Sequence, residues 1–234
     1  MSRKIKVVIL SVLLLFGCAG RGPLPGTEDL DEPVAILPVI PGKIELNYSK
    51  RKKDRVNMAE RINENINLKA SGKKSKLIDP KKVDNLLNSN DLEYLNSVLD
   101  QAQTDAGSWE SKRLRNMGEK LGVAKIIRLE LEIHQYSTLT GTTDTLAEGK
   151  KGDIYVTGHL FELSPPRLVT TYTSWAGYWR EYQGFCLGGG CYGGCCILPV
   201  GTLSYKNKAR AIDEAIEKSL LELLFTSAQE PTFQ

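Results

Sequence analysis

From Ile126 to His134 the chain alternates with strict period two. Ile127, Leu129, Leu131 and Ile133 fall on one side, and Arg128, Glu130, Glu132 and His134 on the other. A helix cannot use such a pattern, because successive side chains point to opposite faces only in an extended strand. One face must pack on a core while the other meets water or a partner, which predicts a sheet with an exposed side.

Other strands are marked by short apolar runs closed by turn residues. Val34 to Val39 is one, ended by Pro41-Gly42, with Pro38 confined to a strand end or edge. Lys76-Leu77-Ile78 is a brief second. Ile154, Val156 and Leu160 mark a fourth, and Leu168 to Trp175 a fifth, joined by a Ser164-Pro165-Pro166 turn that makes the pair antiparallel. Helical stripes lie between them: Met58, Ile62 and Ile66, with Asp54 as the expected cap, then Leu92, Leu95, Leu99 and Ala102, then Leu114, Met117 and Leu121. Asp79-Pro80 starts a helix, since Asp caps and Pro has its φ pre-set for the first helical position. Gly122 is placed to end one in a left-handed turn. Ala209, Ile212, Ile216, Leu220 and Leu223 define a closing helix. The expected fold is α/β (α+β): a mixed central sheet of about five strands flanked by helices, with a Cys/Gly-rich loop before the last helix.

The amino terminus reads as an export signal. Met1 to Lys6 is basic, and Val7 to Phe16 is apolar apart from Ser11, far shorter than the roughly 20 residues a spanning helix needs. Leu15-Phe16-Gly17-Cys18 resembles the lipobox cut by the lipoprotein signal peptidase, with Phe16 where a small residue is usual. The resemblance implies removal of residues 1–17 and a diacylglyceryl and N-acyl lipid on Cys18. Two or three acyl chains would hold the product permanently. Ala19 stands where Asp would mark retention, which in enteric bacteria implies the outer membrane, facing the periplasm. The formal charge of +3 comes wholly from Arg3, Lys4 and Lys6, so the processed chain is balanced. A neutral chain has no surplus charge for a row of phosphates, which argues against nucleic-acid binding.

Residues 18–33 read as a Pro/Gly tether. Fifteen residues from Ala19 to Pro33, at roughly 3.3–3.6 Å each, would reach about 50 Å at most. A single domain would then span 34–226, with 178–203 inserted as a Gly/Cys/aromatic loop and 227–234 as a loose tail.

The loop holds Cys186, Cys191, Cys195 and Cys196. An exported protein most often pairs its cysteines, and two disulfides would staple a glycine-rich loop. A tetrathiolate metal site and reduced thiols are the alternatives, although adjacent cysteines do not match the usual C-x₂₋₄-C pairs. Gly188, Gly190 and Gly193 spell a dinucleotide-binding fingerprint, but no helix opens there and no acidic partner follows. Trp175, Tyr178, Trp179, Tyr182, Phe185 and Tyr192 crowd the same region, as a partner-binding patch or simply as cover for the core edge. The two histidines, His134 and His159, share a polar sheet face if their strands pair in register, with Glu130 and Glu132 nearby. A metal site or acid/base pair would follow from that, or only an exposed face. No nucleophile motif accompanies either histidine, so no catalytic or metal residue and no cofactor is assigned.

The order of elements and several local patterns resemble a family of envelope domains. It includes the amino-terminal domain of TolB, the curli-secretion lipoprotein and the lipoprotein activators of penicillin-binding proteins. The matching pieces are Val34-Ala35-Ile36-Leu37-Pro38, Leu77-Ile78-Asp79, Leu121 to Ile127, Gly158 to Leu163 and Leu168 to Gly177. The resemblance implies a non-enzymatic binding or scaffold module of a secretion, motility or cell-wall assembly, with a membrane and an envelope protein as partners. Its pore-forming members suggest an alternative, a homo-oligomeric ring-forming secretion subunit. Against that, 137–151 reads as a polar loop too short for a membrane hairpin of about 9–11 residues per strand.

Overall fold

The computed structural model describes residues 23–102, 110–141, 145–186 and 197–225, with side chains for all of these except 138–141, 145–150, 180–186 and 197–206. The strands are β1 (Val34–Ile36), β2 (Ile44–Leu46), β3 (Leu77–Ile78), β4 (Lys125–Gly141), β5 (Thr145–Leu163), β6 (Pro166–Cys186) and β7 (Ile197–Lys206). The helices are α1 (Lys52–Ala70), α2 (Pro80–Leu86), α3 (Ser89–Ala102), α4 (Ser111–Leu121) and α5 (Lys208–Phe225). The signal segment, Cys18, the tail 227–234 and Cys191, Tyr192, Cys195 and Cys196 lie outside the described residues.

One mixed sheet carries the strands in the order β3-β1-β4-β5-β6-β7. β1 and β2 both lie parallel to β4 on the same edge, Val34–Ile36 against Lys125–Ile127 and Ile44–Leu46 against Leu131–Ile133. Between them the chain leaves the sheet through a 3₁₀ turn at Pro41–Lys43. Two strands were missing from the sequence reading. β2 is too short to show a period, and most of β7 falls within the stretch 178–203 expected as a loop.

Each face of the sheet has its own core. α1 and α5 cover the first, where Ile62, Ile66, Ile216 and Leu220 pack on Ile127, Leu129, Leu131 and Ile133. All eight are at most 2 % exposed, and each such side chain contributes roughly 1.5–3 kcal/mol on burial. α2, α3 and α4 cover the second face only near its start. There Val83, Leu95, Leu99, Leu114 and Met117 bury Ile126, Phe161 and Leu163.

Local signals explain the helix ends. Asp79 caps α2 by accepting from the Lys82 N–H at 2.9 Å, with Pro80 as first helical residue. Gly122 ends α4 at φ 68°, as its sequence position predicted. Asp54 does not cap α1. The helix begins at Lys52, and the Asp54 carboxylate instead accepts from the Ser49 hydroxyl.

Residues 23–33 do not form a free tether. Leu24 and Leu30 belong to the first core at 2 % and 8 % exposure, and the Leu24 N–H donates to the Lys69 carbonyl at 2.8 Å. The Thr27 hydroxyl donates to the Leu24 carbonyl, and Gly26 turns at φ 74° against the Phe225 ring. An irregular turn offers no periodic pattern, so its two anchoring leucines passed as linker.

The expected loop 137–151 is also corrected. β4 and β5 pair continuously from Lys125↔Glu162 to Gly141↔Leu146. β6 likewise continues past Trp175 to Cys186 and pairs with β7, so 178–186 and 197–203 are strand rather than loop. Neighbouring backbone supplies these hydrogen bonds, and it does so whether or not the side chains alternate.

α5 sits close to the sheet at Gly158, where an added Cβ would lie 2.4 Å from Leu223 Cδ1 and 2.8 Å from Ser219 Oγ. Gly158→Ala should therefore push the helix away and cost about 1–3 kcal/mol. Leu24→Ala should cost about 2–5 kcal/mol, as a core leucine does, whereas a tether residue would cost nothing. Urea denaturation of each variant reads both effects.

Candidate functional site

The second sheet face divides into two zones along β4. Near its start the helices α2–α4 seal it. Farther along no described helix covers it, and the face carries Glu132, His134 and Tyr136 from β4, Asp153 and Tyr155 from β5, and Thr173, Trp175 and Trp179 from β6. This open zone is the candidate functional site.

The boundary between the zones is a charge cluster. The sequence pattern puts Arg128 on the water-facing side, but α3 covers it and the residue is 1 % exposed. Its guanidinium donates to the Asn96 carbonyl at 3.0 Å, Asp100 Oδ1 at 2.7 Å and Glu130 Oε1 at 2.6 Å. Lys43, from the 3₁₀ turn, bridges the same two carboxylates at 2.5 and 3.5 Å. Burial pushes the Asp100 carboxyl up, but the Lys43 and Arg128 hydrogen bonds and charges outweigh it and hold it below its ordinary range. Only Arg128 is buried here, with Asp100 and Glu130 partly exposed, so losing a carboxylate would leave a buried guanidinium short of a partner, and the cluster ties α3 to β4. Beside it an open cleft of about 230 Å³ is lined by Lys43, Glu45, Glu130, Glu132 and Thr157.

The two histidines occupy the same face, as the register argument anticipated, but they do not meet. His159 pairs across from Arg128, and His134 from Asp153, six residues farther along β4 and roughly 20 Å away. The His159 Nδ1 lies 2.9 Å from the Thr171 hydroxyl, and its Nε2 lies 3.8 Å from Glu130. Burial holds its imidazole below the ordinary value, opposed by the Glu130 charge and reinforced by Arg128 and Lys43. His134 contacts the Glu132 carboxylate at 2.5 Å, with the Tyr136 ring stacked at 6.3 Å and Tyr155 edge-on at 6.0 Å. A shared metal site or acid/base pair between them is ruled out by that separation. Among the described residues no group of three His, Cys, Asp or Glu side chains is placed to hold a metal.

The expected aromatic patch is split by strand alternation. Trp175 and Trp179 lie on the open face at 56 % and 40 % exposure. The Trp175 indole donates to Asp153 Oδ1 at 3.2 Å and stands opposite Tyr155. Tyr178 points the other way and is 7 % exposed. Its ring fills the space over Gly152, where a Cβ would come within 2.3 Å of it, and its hydroxyl donates to Gln135 Oε1 at 3.2 Å. Lys208 lies 4.0 Å over the Tyr48 ring and 5.4 Å from Tyr178. Burial, with the nearby Arg61 charge, brings Lys208 down to about 8, and burial first, then Tyr48 and Asp153, takes Tyr178 up to about 12. Tyr178 is therefore a core residue. Tyr182, Phe185 and Cys186 lie in β6, where Tyr182 and Phe185 pair with Glu148 and Thr145.

Sequence reasoning missed Tyr136, Tyr155 and Arg128 as parts of this site. Tyr136 and Tyr155 continue the alternation of β4 and β5 beyond the apolar stretch, which was the available signal. The burial of Arg128 had none, since it depends on where α3 stops.

No protein-family model matches the chain, nor does any curated protein. Solved structures to which it is similar include the hypothetical protein CT253 from Chlamydia trachomatis, at 14 % identity over 82 % of this chain and 92 % of that one, with a TM-score of 0.35. The LpoB C-terminal domain from Salmonella enterica is 9 % identical over 62 % of this chain and 82 % of that one, with a TM-score of 0.24. A putative neuraminyllactose-binding hemagglutinin homolog from Helicobacter pylori is 9 % identical over 92 % and 90 %, with a TM-score of 0.31. At such values these neighbours say nothing about what this chain binds.

The charge cluster makes stability depend on pH. Folded His159 takes its proton at lower pH than it does in the unfolded chain, so the unfolded state binds more protons below about pH 6.5. The stability it supports is complete above that pH and lost below it. Asp100, also held low, adds a further loss as pH falls below about 4. The urea midpoint should drop between about pH 7.5 and about pH 5, and His159→Gln should flatten that slope. An unchanged slope in the variant would assign the effect to other groups.

Proposed function

We propose that this chain is a lipid-anchored, non-enzymatic binding module of the bacterial cell envelope, facing the periplasm, that captures a protein partner on its open sheet face. The observation that carries the reading is the uncovered stretch of β4–β6 with Trp175 and Trp179 exposed upon it. A sheet face that meets only water is ordinarily polar, whereas exposed tryptophan and tyrosine on a rigid backbone are the residues that dominate protein interfaces. Threonines, Asp153 and the His134–Glu132 pair supply a polar rim around them. The lipobox-like Leu15-Phe16-Gly17-Cys18 supports the address, and a secretion, motility or cell-wall assembly is the class of partner that the address suggests.

One observation favours the alternative of a ring-forming secretion subunit. β4, β5 and β6 are 17, 19 and 21 residues long, so the shortness of the 137–151 segment no longer stands against membrane hairpins. Negative-stain electron microscopy of detergent-extracted protein distinguishes the two, with monomers or small complexes expected for a binding module and rings for a pore.

Photo-crosslinking in cells from position 175 should capture one envelope protein reproducibly, and Trp179→Ala should abolish the capture while leaving the unfolding free energy from urea denaturation within about 0.5 kcal/mol of the parent. Capture that survives Trp179→Ala, or equal capture from a residue on the α5 side, would remove the open face as the binding surface.

A further inference from the structure

Every residue between Cys18 and the folded body counts toward how far the domain can stand from its anchor. The packing of Leu24, Thr27 and Leu30 removes residues 24–33 from that count, and Pro23 already lies against Gly72, 3.3 Å from where a Cβ there would sit. Five residue steps remain from Cys18 to Pro23, with a fully extended reach of about 18 Å. β4 alone, 17 residues at about 3.3 Å each, is longer than this, so the chain's point of entry decides which end of the body meets the bilayer.

That point lies at one end of the sheet. The Leu24 N–H is bonded to the Lys69 carbonyl in the last turn of α1, and the Lys76 N–H to the Thr27 carbonyl just before β3. β1, β3 and β4 all start here, as the pairs Val34↔Leu77 and Val34↔Lys125 require, and all three run away from it. The turn 71–76, Ser-Gly-Lys-Lys-Ser-Lys, closes this end, with Lys73 and Lys74 exposed. The same end carries the acidic residues Glu28, Asp29, Asp31 and Glu32, so its net charge does not by itself draw it to lipid. Chain length does. Trp175 stands level with Glu132, seven residues along β4 from Lys125, and Trp179 level with Tyr136, eleven residues along. At about 3.3 Å per residue these are roughly 23 and 36 Å from the entry end.

We infer that the domain stands base-first on the membrane that holds Cys18, with the Lys73–Lys74 turn at the phospholipid headgroups and the Trp175/Trp179 face held away at the far end. This rests on lipidation of Cys18 and adds the orientation that lipidation alone does not give. The aromatic face then meets a partner in the periplasm, and the far ends of β4, β5 and β6 point away from the anchoring bilayer rather than into it.

The test uses the full-length lipidated protein in vesicles of phosphatidylethanolamine and phosphatidylglycerol doped with a headgroup-nitroxide lipid. A fluorescent amino acid is placed at position 74 or, at the far end, position 151. Both forms should float with the vesicles, and fluorescence at 74 should be quenched several-fold more than at 151. Flotation with equal quenching at the two positions, or stronger quenching at 151, overturns the orientation while leaving the anchor intact. Failure to float overturns the lipid anchor itself, and the orientation falls with it.

Discussion

The structure depends on the first half of β4 being hydrogen-bonded on both edges while its two faces obey different rules. β1 and β2 occupy one edge as far as Ile133 and β5 the other, so this part of the strand is held at the centre whatever its side chains do. The face with Ile127, Leu129, Leu131 and Ile133 is sealed by α1 and α5 as far as Ile133. The opposite face is sealed only as far as Arg128, whose guanidinium donates to the Asn96 carbonyl and the Asp100 carboxylate of α3. Beyond that point the helical layer has ended and the sheet continues. An uncovered face follows directly from a sheet that is longer than its second layer.

Much of the fold was legible because its elements obey simple periods. The β4 alternation, the Asp79-Pro80 start and the Gly122 stop each match a local physical requirement that holds whatever the rest of the chain does. What escaped was set by tertiary contact. Ile44-Glu45-Leu46 is a strand only because Leu131 to Ile133 lies alongside, and Leu24 and Leu30 are core only because α1 and α5 leave a site for them. The long ends of β4, β5 and β6 lack apolar alternation, and their pairing comes from backbone rather than from burial.

The site was half legible for the same reason. Six aromatics clustered in sequence suggested one patch, yet strand alternation sends Trp175 and Trp179 to one face and Tyr178 to the other, over Gly152. Tyr136 and Tyr155, distant in sequence, join the tryptophans through register alone. His134 and His159 show the converse: a shared face was correctly anticipated, and the register keeps them six residues apart. A surface built from three strands cannot be read from any one of them.

A patch of exposed tryptophan on an otherwise ordered sheet is tolerable for a protein whose patch is usually covered. Hydroxyl-radical footprinting of Trp175 and Trp179, in intact envelopes and in the purified detergent-solubilised protein, tests this most directly. The account predicts that both indoles are oxidised readily after purification and protected in the envelope. Equal oxidation in the two settings would mean that nothing covers the open face, and the binding role would have to be abandoned.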